Sequence, residues 1–226
     1  CVRRSSYEGT RRSHALVNRK PGPVWKGMGL ALVHHGPGFT GSGEVMLASR
    51  AAVALNRDGM VSVLAAVTEM GQGEATVLTQ IVAETLGLDM SLVRVETPDT
   101  SKVPNSGPTV ASRTTMIIGG ILMKASLKLK GKVASELGAF PTTAKGLKAA
   151  GRKLCKQGPL HFEEEYEKPP EIVWNEAAYK GDAYGVYGYE AIIVDLSVDR
   201  LTYEVKVDRV FTSTDVGRAI HPDLVR

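Results

Sequence analysis

Two short segments combine glycines, hydroxyls and an amide at places where a helix begins. The first is Thr68-Glu69-Met70-Gly71-Gln72-Gly73, set between an extended apolar run and a helical pattern. The second is Val103–Thr115, which closes on Ala111-Ser112-Arg113-Thr114-Thr115 and again runs into a helix start. A helix N-terminus carries unpaired N–H groups and a partial positive charge, so an anion is stabilised there. Glycines let a ligand lie against the backbone, and the Gln72 amide can both donate and accept. Each segment also has a plain reading. The first can be a tight strand-to-helix turn with Gln72 solvated, and the second an N-cap cluster of Ser and Thr. Taken together, two such N-termini suit a long anionic ligand such as a diphosphate-bearing cofactor.

Other candidate chemistry fails on context. Gly36, Gly38 and Gly41 match G-x-G-x-x-G literally, with Asp58 downstream. Pro37 lacks an N–H for a phosphate, however, and Asp58 falls in a hairpin turn rather than at the end of a second parallel strand. Neither a P-loop nor a G-x-S-x-G elbow occurs. His34 and His35 are adjacent, so on a strand they point to opposite faces and cannot chelate one metal. His14, His161 and His221 lack partners at ligand spacing, and no metal site is expected.

The 226 residues (24.2 kDa) are 43% hydrophobic and 23% charged, which excludes a disordered tail, a coiled coil and a collagen-like fibre. No apolar run reaches membrane-spanning length. The net charge of +4 comes from Arg3, Arg4, Arg11 and Arg12 and from a basic run between Lys124 and Lys156. Phe140 is the only aromatic within that run, so a solvated helix face is expected rather than a nucleic-acid site. Two cysteines give no disulfide framework and fit a reducing compartment. Residue 1 is Cys1 rather than Met, which reads as an internal piece of a longer chain.

The elements that must position these residues are read from periodicity. Residues 1–23 are polar and basic without a repeat, and are expected to be an arm or linker. Residues 24–226 form the domain proper, with a variable region at about 141–185. Val45–Leu55 and Met60–Val67 read as strands joined by the turn Asn56-Arg57-Asp58-Gly59. A helix follows Gly73, with Leu78, Ile81, Val82 and Leu86 on one face and Gly87 as its stop. Leu92–Glu96 alternates as a strand. A long helix from about Thr115 to Leu137 contains Gly119-Gly120, which costs roughly 2 kcal/mol relative to two alanines and implies a close packing partner. Tyr187–Leu196 and Leu201–Thr212 read as antiparallel strands around Ser197–Arg200. Without a regular βαβ rhythm, the fold class is α+β, a mixed sheet with helices packed on it.

From Lys26 to about Gly120 the sequence resembles the molybdenum-cofactor subunit of the xanthine dehydrogenase and aldehyde oxidase family. Thr68–Gly73 is similar to that family's Glu-Met-Gly-Gln-Gly element, and Val103–Thr114 to its Pro-Asn-Ser-x-Pro-Thr-x-Ala-Ser element. The stretch 187–226, with Thr214-Asp215-Val216-Gly217 and His221-Pro222, is similar to strands preceding another family motif. The resemblance implies part of a molybdopterin-binding domain. Met70, Gly71, Gln72 and Gly73 would hold the pterin and its phosphate, and Ala111, Ser112 and Thr114 a second phosphate turn. Phe39 and Thr40 match the Phe-Thr pair lining the substrate pocket of purine-hydroxylating members.

It further implies a molybdopterin, in dinucleotide form, with molybdenum. Iron–sulfur (2Fe-2S) clusters and FAD would sit on partner domains or subunits, in a cytoplasmic enzyme that hydroxylates a carbon beside nitrogen or an aldehyde carbon. The general-base glutamate is expected outside this chain, so no catalytic residue is assigned here. The chain alone is expected to be inactive and free of molybdenum. The alternative is a non-catalytic half-domain that docks onto another subunit and supplies phosphate contacts only.

Overall fold

The computed structural model describes residues 1–225, which divide into two compact units. The first comprises Cys1–Gly36 and Val186–Ala219. It opens with a single helical turn, α1 (Val2–Ser5), and a helix, α2 (Tyr7–Asn18), separated by Ser6 at φ 50°. Strand β1 (Val24–His35) follows. The stretch expected to be a polar arm is therefore mostly helical. Its docking is polar, which is why no apolar stripe announced it. The Asn18 amide donates to the Lys26 carbonyl and accepts from the Lys26 N–H, both at 2.8 Å, and His14 Nε2 stands 3.5 Å from Asp195 Oδ1.

The second unit comprises Pro37–Gly185 and Ile220–Arg226. In chain order it contains α3 (Gly43–Leu47), β2 (Arg50–Leu55), β3 (Val61–Leu64), α4 (Glu74–Leu86) and β4 (Val93–Val95). Then come α5 (Thr114–Leu137), α6 (Ala144–Leu154), β5 (Leu160–Glu165) and the short pair β6 (Trp174–Asn175) and β7 (Lys180–Gly181). The chain returns to the first unit as β8 (Gly188–Asp199) and β9 (Val205–Asp215), and closes on the turn α7 (Pro222–Val225).

In the first unit the sheet order is β1-β8-β9, all antiparallel, with Val24 opposite Asp199 and His35 opposite Gly188. The turn between β8 and β9 lies at Asp199–Glu204 rather than Ser197–Arg200, because the Asp199 carboxylate accepts from the Leu201 and Thr202 N–H groups.

In the second unit the order is β4-β3-β2-β5, with β3 and β4 parallel and the other pairs antiparallel. The sheet is thus mixed, and α4 and α5 pack on it. The core joins Val53, Leu55, Val61 and Val63 to Leu78, Leu86, Ile118 and Leu122, all fully buried. The expected partner of the glycine pair is Ile81: a Cβ on Gly119 would lie 2.7 Å from its Cδ1, whereas Gly120 faces open space. Val45–Leu55 is not one strand. Its first residues form α3, and Ala48 at φ 45° breaks the helix before β2 begins. The acidic run Glu163–Glu165 belongs to edge strand β5, where Phe162 turns inward and Glu163 and Glu164 meet Arg50 and Lys128. Among the described residues no helix is long and apolar enough to cross a membrane.

Candidate functional site

The parallel pair β3–β4 and helix α4 leave residues 65–73 to run from the sheet to the helix, and two hydroxyls stitch this run to the second segment. Ser106 Oγ accepts from Ala66 N–H and donates to the Arg50 carbonyl, while Thr109 Oγ1 accepts from Thr68 N–H at 2.9 Å. The two segments singled out in the sequence therefore lie side by side.

Between them is a cleft of about 340 Å³, whose lining includes Met70, Gln72, Glu74, Ala111, Ser112 and Thr114. Gly71 and Gly73 complete the turn at φ 99° and 82°, with no atom within 4 Å of a Cβ placed on either. Only glycine takes that conformation without strain, and the open space leaves the backbone approachable. A larger hollow of about 490 Å³ is lined by Asn56, Ser62, Glu96, Asp99, Lys102 and His161, among others. None of the sequence-predicted site residues lines it.

The first turn is closed by its own side chains. Glu69 accepts from the N–H groups of Gly71, Gly73 and Ala75 at 2.8, 3.1 and 3.0 Å. It thereby caps α4, and these backbone donors hold its carboxyl below the usual carboxylate range. Gln72 Oε1 accepts from Met70 N–H, and its Nε2 donates to the Thr68 carbonyl and to Glu74 Oε2. Gln72 is thus held in the cleft wall rather than free in solvent. Glu74, the first helical residue, is only 6% exposed. Burial pushes its carboxyl upward, aided by the Glu69 charge and opposed by the nearby Thr114 hydroxyl and the Gln72 amide.

The second turn is held from beneath. Ala111 and Ser112 both have positive φ, at 53° and 55°. A left-handed conformation costs a residue with a Cβ roughly 1–2 kcal/mol, so its surroundings must impose it. Directly beneath lies Arg113, 1% exposed. Its Nε and Nη2 donate to the Glu44 carboxylate at 2.7–3.1 Å, Nη2 also donates to Ser49 Oγ, and Nη1 donates to the Ser106 and Pro108 carbonyls. Ala111 in turn accepts from Gly38 N–H at 2.8 Å. The Ser112 hydroxyl, exposed at the cleft, has no partner among the described residues.

Two approachable glycines, consecutive left-handed residues at a helix start, and hydroxyl and amide groups thus share one cleft. The sequence profile of the molybdopterin cofactor-binding domain family matches residues 1–226. The chain belongs to this family.

Its relatives agree. The chain is 28% identical over 205 residues to xanthine dehydrogenase 2 of Arabidopsis thaliana, covering 88% of this chain and 15% of that protein. It is 28% identical over 236 residues to the xanthine dehydrogenase molybdenum-binding subunit of Escherichia coli, covering 97% of this chain and 30% of that one. The aldehyde oxidoreductase of Desulfovibrio desulfuricans superposes with a TM-score of 0.75 at 26% identity, over 95% of this chain and 22% of that one. The chain spans less than a third of the length of these relatives.

Within this molybdopterin-binding domain, the remaining predicted pair stands apart from the cleft. Neither Phe39 nor Thr40 lines it. Phe39 N–H donates to Glu44 Oε1 at 3.1 Å, so its backbone is tied to the same carboxylate that anchors Arg113. Thr40 Oγ1 is already 2.8 Å from the Tyr184 hydroxyl. Among the described residues no group of three metal-binding side chains occurs.

Sequence reasoning missed Glu44, Glu69, Glu74 and Arg113. One signal was available: a cation at a helix N-terminus opposes the macrodipole, so Arg113 in that position implies a buried anionic partner.

Proposed function

We propose that this chain forms part of the cofactor cradle of a molybdenum hydroxylase, with Met70, Gly71, Gln72 and Gly73 holding the pterin and its phosphate, and Ala111, Ser112 and Thr114 a second phosphate, of a molybdopterin dinucleotide. The observation that carries this reading is the convergence of the two turns on one cleft. When bound, the cofactor supplies a redox-active metal centre for oxidative hydroxylation. The chain's own contribution is binding and orientation. Gly71 and Gly73 admit the ligand to the backbone, Ser112 offers a free hydroxyl, and Gln72 presents an amide whose orientation is fixed on both sides.

The parent enzyme is read as acting on an N-heterocycle such as a purine. Phe39 is exposed and anchored through Glu44 to the wall that holds Ala111, and its ring suits stacking on a flat heterocycle. Iron–sulfur clusters and FAD would belong to partner domains or subunits, since the two cysteines cannot ligate a cluster. The general base would come from the remainder of the molybdenum subunit, in a cytoplasmic assembly.

Molybdenum analysis of the purified parent enzyme tests the cradle. Gln72→Ala should lower metal content per subunit with little change in substrate preference, because a lost hydrogen bond to a charged group costs roughly 1.5–3 kcal/mol. Full occupancy with an altered substrate profile would move Gln72 out of the cradle.

A further inference from the structure

Glu74 is an unusual lining for a phosphate cleft, because it adds an acid where an anion is to sit. Its carboxyl is buried, with 6% exposure. Oε2 accepts from Gln72 Nε2 at 3.0 Å, while Oε1 is sealed from water with no hydrogen-bond partner. A buried carboxylate oxygen without a donor is unfavourable, whereas the same oxygen carrying a proton becomes a donor itself.

The groups around it do not neutralise it. Glu69, ionised and held by three amides, adds a second negative charge from the preceding turn. Those same contacts occupy N–H groups at the start of α4 that would otherwise favour a charged Glu74. From α5 and the turn before it, Thr114 offers a hydroxyl and Arg113 the single cation lining the cleft. The Arg113 guanidinium is directed away, to Glu44, Ser49 and two carbonyls.

Resting on the reading of this cleft as a phosphate site, we infer that Glu74 takes up one proton from solvent when a phosphate group binds, so that the acid in the cleft wall is neutral beside the ligand. No covalent bond changes; the proton stays on Glu74 and the ligand keeps its charge. An ionised Glu74 would repel the ligand, while the neutral acid removes that repulsion. The coupling is a one-proton linkage, so affinity falls by up to about tenfold per pH unit above the range in which free Glu74 titrates.

The test is isothermal titration of the full 226-residue chain with dimethyl pyrophosphate, whose charge is constant over the measured range, in paired buffers of different ionisation heat. The expected result is an uptake approaching one proton per ligand where free Glu74 is ionised, with the tenfold-per-unit loss of affinity. Glu74→Gln, which keeps shape and a donor, should bind with no uptake and no pH dependence. Binding by the wild type without proton uptake, or uptake that persists in Glu74→Gln, would overturn the inference while leaving the phosphate site standing. Absence of binding at every pH would overturn both. Should the variant fold poorly, infrared difference spectra of the wild type decide instead. A protonated-carboxyl band must appear on adding ligand, and its absence refutes the proposal.

Discussion

The two turns that face each other across the cleft reach positive φ by opposite routes. Residues 68–73 place glycines there, at Gly71 and Gly73, and satisfy the turn with local side chains, Glu69 and Gln72. Residues 111–112 are an alanine and a serine in the left-handed region, with Arg113 beneath them committed to Glu44 from 69 positions away. The first turn adopts its shape because its residues favour it. The second keeps residues with a Cβ in that region above a buried ion pair. The lesson is that a cradle can combine an inherently stable wall with a strained wall whose geometry depends on packing elsewhere.

The largest effect is expected at Arg113. Arg113→Met leaves the Glu44 carboxylate buried without its cation, and removing one partner of such a pair costs about 3–5 kcal/mol. Urea denaturation should show that loss, and the double variant Arg113→Met with Glu44→Met should recover much of it. A loss below about 1 kcal/mol, the range of an exposed pair, would mean that the second turn is not held from below.

Opposite signs are expected one step down in size. Gly73→Ala forces a Cβ into φ 82° and should destabilise by about 1–2 kcal/mol, although the space around it is open. Ala111→Gly relieves the same strain and should stabilise by about 0.5–1 kcal/mol after the entropy cost of glycine. Denaturation midpoints of the pair check this, and equal signs would erase the distinction between the walls.

The first wall was largely legible in the sequence. Gly71-Gln72-Gly73, the helix behind it and the Gly87 stop follow from local preferences that act within a few residues. The second wall was legible as a segment but not as a mechanism, because Arg113 and Glu44 lie in unrelated local contexts and meet only in the folded chain. Other patterns hid α2, which docks through polar groups, and β5, whose outward Glu163 and Glu165 alternate with inward Leu160, Phe162 and Glu164. Val45–Leu55 misled because its first residues belong to α3, which ends at left-handed Ala48.

The smallest effect is in pH dependence, where two acids of one wall oppose each other. Glu69 is held below the usual carboxylate range, so its contribution is complete above that range and is lost as pH falls through its lowered value. Glu74 is raised, so the native chain binds more protons than the unfolded one in that window, and stability falls as pH rises through it. Urea midpoints measured across pH should show a flatter acid limb for Glu69→Gln and a flatter limb at higher pH for Glu74→Gln. A steeper limb in either variant would reverse the assigned sign.

If both walls hold one ligand, amide chemical shifts on the two turns must respond together. Titrating the isotope-labelled chain with pyrophosphate should move the Gly71, Gln72 and Gly73 resonances together with those of Ala111, Ser112 and Thr114, all saturating at one dissociation constant. Shifts confined to one turn, or two sets saturating at different concentrations, would contradict a single cradle.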